Sequence, residues 1–506
     1  MARIVHICIN AGPIWFIVLL GAALRLVHLL SDNYFVSSAD SYYFYHYADC
    51  INHDTAPLFR IEPGLSYPVG YLAKVLGLEA SAILVPVLLG AVITVFLYFS
   101  TKALFNQKIG LGAAFMWAAI PQAYWITGAG YLDRDGLTVG ILAIAGVLTI
   151  LIVHRGGRWP LVMPILFTVC AAALVYSWSW IGGAIVAALV TGLLLISYRG
   201  IDRYYFVSIE MMLILLAGCF LLWGDHLNDV FHIASQTKYD IPIAEAKSMR
   251  AIDIMLYWHP ILIMAVCLGV WVLARRIGGA HSRAVIIWLV VAICAALVIK
   301  RLSILALPPV CLAGGAGLAL AYDALKAMHI KMQSRLLIGI GCFIGALILG
   351  TFTWHAYVIG TVDRLNPSPE WQEALEFLQE ETPPNSKILC SGDYGYWVLA
   401  LADREPLAYG GPVSNIEAVA GIYCAETPGT ALAATRAAGA DYFIYATEDY
   451  NGPIYRELSR FCSCQDVAIE NRELYKMARD NPSDLFFYNG EIAILKSESV
   501  NTMLDR

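Results

Sequence analysis

The feature that most limits what this chain can become is a series of long apolar runs, nearly free of charge, through its first 360 residues. A bilayer span takes roughly 20 mainly apolar residues. Runs of that kind fall at 14–30, 81–100, 109–126, 137–153, 160–178, 181–198, 205–223, 256–274, 284–299, 302–322 and 335–359. The expected fold class is therefore an α-helical polytopic membrane domain over residues 1–360, with about 11–13 spans. Charged residues make up 14% of the chain, against about 25% in a soluble domain, and the mean hydropathy is +0.64. Residues 361–506 return to ordinary globular composition, so a small soluble domain is expected there. The first run has no small-residue cleavage site, and it reads as a retained span.

Lys and Arg in the short loops set the orientation. With the N-terminus in the cytoplasm, the inside loops carry Lys102 and Lys108, Arg155 and Arg158, Arg199 and Arg203, Arg275, Arg276 and Arg283, then Lys326, Lys331 and Arg335. The outside segments are then, in chain order, the long loop 31–80, the 127–136 turn, the Ser177–Trp180 turn, the long loop 224–255 and the 300–301 turn. An odd number of spans puts 361–506 outside as well. All the acidic clusters of the loops fall on that outer side, which makes a composite site there plausible on sidedness alone.

In the soluble part, Ser368–Glu380 reads as a helix with Ser368 as its N-cap. A short strand at Lys387–Cys390 delivers a loop, Ser391-Gly392-Asp393-Tyr394-Gly395. Helical patches near 413–424, 428–438 and 452–462 alternate with strands near 441–446 and 484–496, the last turned by Asn489-Gly490. This predicts an α/β domain. Net charge of −6 with no Lys/Arg run excludes a nucleic-acid partner. The twelve cysteines show no zinc-type Cys-x-x-Cys spacing.

Five outer residues carry candidate chemistry. Asp40 opens Asp40-Ser41-Tyr42-Tyr43-Phe44 just past the first span, where interfacial aromatics and a capping Asp are the plainer reading. Asp133 and Asp135 form an Asp-x-Asp pair whose oxygens suit a hard divalent cation; a solvated turn with Arg134 as counter-charge is the alternative. Glu245 lies in the fourth outer segment with Asp240 and Asp253 as competitors. Arg301 opens a late span, either as a snorkelling cation or as a planar partner for phosphate.

Together these residues resemble the catalytic subunit family of oligosaccharyltransferases, of the bacterial PglB and archaeal AglB type, which have the GT-C glycosyltransferase fold. The resemblance runs over nearly the whole chain and is most specific at Trp371–Gly411. There Asp393-Tyr394-Gly395 matches the end of the family's Trp-Trp-Asp-Tyr-Gly motif, with Ser391-Gly392 where the tryptophans would be. The resemblance implies that Asp40, Asp133, Asp135 and Glu245 hold Mn²⁺ or Mg²⁺, with Asp40 and Glu245 also engaging the acceptor amide. It implies that Arg301 faces the donor phosphate, and that Asp393, Tyr394 and Gly395 read the acceptor. The implied reaction moves a glycan en bloc from a polyprenyl-linked donor to asparagine of an acceptor protein or peptide, with inversion. The enzyme would be a single subunit in the lipid bilayer of the inner membrane.

The missing tryptophans put Asn-x-Ser/Thr recognition in question and keep open a related membrane glycosyltransferase with another acceptor. No arginine stands at Tyr257, about where bacterial members of that family place one, so the resemblance implies no strict requirement for an acidic residue before the asparagine. A cation-coupled transporter fits less well, because the acids lie in loops and no inverted repeat is visible.

Overall fold

The structure, a computed structural model, describes residues 2–30, 39–55, 64–155, 249, 251–277, 279–298, 300–329, 350–354, 367–408, 416–423, 428–446 and 486–496. Helices α1 (Ala2–Leu26), α2 (Ala39–Asn52), α3 (Ser66–Leu76), α4 (Leu78–Leu104), α5 (Gln107–Ala119), α6 (Pro121–Ile126) and α7 (Arg134–Arg155) come first. They are followed by α8 (Ala251–Trp258), α9 (Pro260–Val272), α10 (Gly279–Val298) and α11 (Leu307–His329). Next come α12 (Pro369–Glu381), β1 (Lys387–Leu389), α13 (Gly392–Leu401), β2 (Glu405–Pro406), α14 (Ile416–Tyr423) and α15 (Pro428–Ala437). The last elements are β3 (Tyr442–Ala446), β4 (Phe487–Tyr488) and β5 (Ile492–Lys496). These pack as two compact units: one takes α1 and α3–α11, the other takes α2 together with α12 and everything after it.

In the first unit, α5 packs against α1, α4 and α11, and α11 packs against α9. Two helices among the described residues are long and apolar enough to cross a bilayer, Leu78–Leu104 and Ser303–Ala327; Gly12–Leu26, Pro260–Arg275 and His281–Leu297 are shorter apolar helices. Two of the expected single spans are broken. The 109–126 run ends as a helix at Ala119 and restarts at Pro121, and the 256–274 run breaks at His259. Proline explains both breaks: it lacks an N–H and restricts the residue before it, so it starts a helix rather than continuing one. His259 takes φ +59° and its Nδ1 accepts the Ile261 N–H at 3.4 Å. The expected spans at 160–178, 181–198 and 205–223 lie outside the described residues, as does most of 335–359.

Small residues let α9 and α11 touch backbone to backbone. A Cβ on Gly269 would fall on the Ala313 carbonyl, and one on Gly317 would fall on the Ala265 carbonyl. On the other side of α11, a Cβ on Gly112 would sit 2.6 Å from the Gly315 carbonyl oxygen. Such close approach is how helices gain packing where no hydrophobic force drives them together. Gly269→Val should therefore destabilise the detergent-solubilised protein by about 1–3 kcal/mol of overpacking or more, lowering its melting temperature. Gly350→Val, with nothing within 4 Å of the new Cβ, should leave it unchanged.

The second unit carries a five-stranded sheet in the order β2-β1-β3-β5-β4. β1 pairs in parallel with β2 and β3, and β5 pairs antiparallel with β3 and β4. The expected hairpin at Asn489-Gly490 is present, with Gly490 at φ +100°, a left-handed position that suits glycine. α12 starts where the sequence places it: Ser368 Oγ accepts the Trp371 N–H at 3.2 Å. Its buried residues Trp371, Ala374, Leu375 and Leu378 follow the 3–4 spacing of one helix face.

Candidate functional site

The acidic turn of the first unit is built between α6 and α7. Pro121 starts α6, which ends at Ile126, and the chain turns through Gly130 (φ +74°) before α7 begins at Arg134. Asp133 is 5% exposed and Asp135, in the first turn of α7, is 8% exposed. Asp133 Oδ1 accepts the Arg134 N–H at 2.6 Å, and its Oδ2 lies 3.5 Å from the Tyr131 hydroxyl. A helix N-terminus favours negative charge, so both acids sit where the backbone tolerates them. Aromatic rings support the turn: Trp125 lies 5.5 Å from Tyr131 and stacks on Tyr257 at 6.2 Å. Burial of two carboxylates is costly unless positive charge meets them, and their oxygen donors fit a hard divalent ion such as Mg²⁺ or Mn²⁺. Among the described residues, no three of His, Cys, Asp and Glu come together in a way that holds a metal.

The remaining site residues are placed unevenly. Glu245 lies outside the described residues, and so does the side chain of Arg301, whose backbone is in the 3₁₀ segment Lys300–Ala306. Asp253, a competitor of Glu245 in the sequence, is buried and held by Lys300 Nζ at 3.4 Å. That ammonium also lies over the Tyr257 ring at 5.0 Å. Asp253 is thus committed to an ion pair.

In the second unit, Asp40 is half-buried in the first turn of α2. The aromatics that follow it pack inside the unit: Tyr42, Tyr43 and Phe44 are buried, and Tyr43 meets Tyr396 of α13 edge to face at 5.9 Å. The expected loop 391–395 is instead the start of α13. Ser391 is its N-cap residue, and the Tyr394 N–H donates to the Ser391 carbonyl at 3.0 Å. Aromatic packing accounts for the helix, since Tyr394 and Trp397, three residues apart on one face, both close on Trp371 at 4.3 and 5.3 Å. Tyr394 is therefore a core residue of this unit. Asp393 and Gly395 lie in the first turn of α13, and the Asp393 side chain is outside the described residues.

A pair that the sequence motifs do not single out sits on α2. His46 Nε2 and Cys50 Sγ, one helical turn apart, lie 3.7 Å from each other. Burial pulls the His46 pKa below its usual 6.5, against the raising effect of Asp403 and Asp49. The i, i+4 spacing is the signal that could have found them. Because the folded state disfavours the imidazolium, stability is complete above pH 6.5 and is lost as pH falls through the lower folded value. Amide protection factors in α2, corrected for the intrinsic pH dependence of exchange, should fall below pH 6.5, and His46→Gln should remove that fall.

No protein-family model and no curated protein matches the chain. Solved structures do. The oligosaccharyltransferase of Archaeoglobus fulgidus, tethered to an acceptor peptide with the NVT sequon, has a TM-score of 0.69 at 14% identity, covering 89% of this chain and 71% of that one. The AglB enzyme of the same organism, in complex with an inhibitory peptide and a dolichol-phosphate, has a TM-score of 0.65 at 14% identity over 89% and 71%. ArnT from Cupriavidus metallidurans, bound to undecaprenyl phosphate, has a TM-score of 0.56 at 10% identity over 96% and 98%. The chain has the fold these proteins share.

Proposed function

We propose that this chain, with the fold of an archaeal oligosaccharyltransferase, is a membrane glycosyltransferase that moves a glycan from a polyprenyl-linked donor to asparagine of a protein. The observation that carries this reading is the fold likeness over 89% of the chain, and the buried acids Asp133 and Asp135 at the head of α7 agree with it. Asp133 and Asp135 would hold Mn²⁺ or Mg²⁺, and Asp40 and Glu245, named from the sequence, would serve the cation and the acceptor amide. A bound divalent ion supplies positive charge that offsets the departing phosphate. Asp40 and Glu245 accept hydrogen bonds from the acceptor carboxamide and orient its nitrogen toward the anomeric carbon, on the face opposite the leaving phosphate. Arg301 offers a planar, permanently charged partner to that phosphate. The enzyme works as a single subunit in the inner membrane, with its N-terminus cytoplasmic and residues 361–506 extracytoplasmic.

Purified protein, polyprenyl-linked glycan, Mn²⁺ and an Asn-x-Thr peptide test this directly, with glycopeptide as the expected product. Transfer to a hydroxyl or to another glycan, with no glycopeptide, would instead support a second reading. Ser391-Gly392 in place of paired tryptophans favours that reading, as does the likeness to ArnT. Metal-independent solute flux into liposomes would overturn both.

A further inference from the structure

One buried charge is unused by the proposed reaction. Arg25, near the end of α1, is 1% exposed. Among the described residues it pairs with no carboxylate, and its Nη2 has no hydrogen-bond partner. A lone ionised group inside a membrane domain is expensive, so one that persists marks function. What the other atoms of Arg25 touch identifies that function. Nε donates to Thr127 Oγ1 at 2.7 Å, Nη1 donates to the Gly21 carbonyl at 2.8 Å, and the Arg25 carbonyl accepts the Ala129 N–H at 3.0 Å. Thr127 is anchored in turn on the Ala123 carbonyl at 2.6 Å.

The guanidinium has its own cradle. It lies over the Trp117 ring at 5.9 Å. Gly90 leaves room for it, since a Cβ there would fall on Nε and within 2.9 Å of Cδ. Trp117 Nε1 donates to the Gly90 carbonyl at 3.0 Å, closing α4 and α5 around the arginine. The Gly130 N–H bonds the Ala82 carbonyl of α4 at 3.1 Å, and the Leu65 N–H bonds the Leu132 carbonyl at 3.4 Å. The segment that leads into Asp133 is thus tied to three other parts of the unit, and Arg25 holds it by both side chain and main chain.

We propose that Arg25 is a positioning residue: its buried guanidinium locks the 127–130 turn, so that Asp133 and Asp135 are presented in one fixed geometry at the head of α7. The role of those two acids rests on the function proposed above; the locking of the turn does not. Thr127→Val removes the acceptor with little change in shape, and Arg25→Gln removes the charge and the fork. For each variant, hydrogen exchange at amides 128–132 and Mn²⁺ binding by calorimetry are measured on the full chain in detergent. Exchange in that segment should rise at least tenfold, and Mn²⁺ affinity should fall about tenfold, with exchange in α9 and α11 unchanged.

Unchanged exchange at 128–132 in Thr127→Val overturns the proposal. Faster exchange with unaltered Mn²⁺ affinity also overturns it, because the turn would then be held for its own sake. Exchange raised throughout Arg25→Gln reports general unfolding, and Thr127→Val then decides between the two outcomes. If the wild type binds no Mn²⁺ at all, the metal reading of Asp133 and Asp135 fails, and the exchange result alone decides whether Arg25 locks the turn.

Discussion

Asp133→Asn should reduce glycan transfer at least about a hundredfold, equal to some 2.7 kcal/mol of transition-state stabilisation, without lowering the melting temperature. Asparagine keeps the carbonyl oxygen that accepts the Arg134 N–H at 2.6 Å, so the turn into α7 keeps its local bond. What it loses is a charge at a position only 5% exposed, where an ionised carboxylate costs stability unless positive charge is near. A residue retained at such cost is held for function rather than for folding. The measurement is initial rate against Mn²⁺ concentration, paired with thermal unfolding of the same preparation. Asp253→Asn is the contrasting control. It removes the ion pair to Lys300 at 3.4 Å, so it should cost stability and leave the Mn²⁺ dependence of the rate as in wild type. If Asp133→Asn keeps its rate, Asp133 is a structural cap and the metal reading of the turn is wrong.

The second large effect is expected at Arg404. This guanidinium is 4% exposed and bonds five times inside its unit. Nε donates to Thr382 Oγ1 at 2.8 Å, Nη1 to the carbonyls of Ala402 and Asp403, and Nη2 to those of Gln379 and Thr382 at 2.6 Å each. It therefore caps the C-terminal carbonyls of both α12 and α13, groups a helix leaves unpaired. Arg404→Ala strands several buried acceptors, each worth about 1–3 kcal/mol, and should destabilise the unit by at least about 3 kcal/mol. Arg404→Lys should recover little, since a point charge on a flexible stem cannot reproduce a planar fork with five donors. Limited proteolysis of the full chain reads this out: cleavage should move into 367–446 in both variants. Resistance equal to wild type in Arg404→Ala would show that the cap is dispensable.

Local rules along the chain go a long way where the cause is local. The Ser368 cap, the Asn489-Gly490 hairpin and the β3 strand follow from turn chemistry and patterning, and each is present. So is the helix starting beside Asp135, because an acidic N-terminus before an apolar run is written into adjacent residues. The same rules fail where packing outweighs them. The glycines of residues 391–395 suggest a loop, yet the segment starts α13 because Tyr394 and Trp397 find Trp371 across the unit.

By itself, then, the sequence determined the apolar helices, the small α/β sheet domain, and Asp40, Asp133, Asp135 and Glu245 as the acids to watch. These depend on composition and on neighbours a few residues away. Only the tertiary structure decided that Asp253 belongs to Lys300 and that the aromatics after Asp40 are buried, with Tyr43 meeting Tyr396 of α13. Only it showed that Arg25 bonds Thr127, 102 residues away. Each of these is a contact between distant segments, and no periodicity or cap along the chain records which buried charge will find which partner.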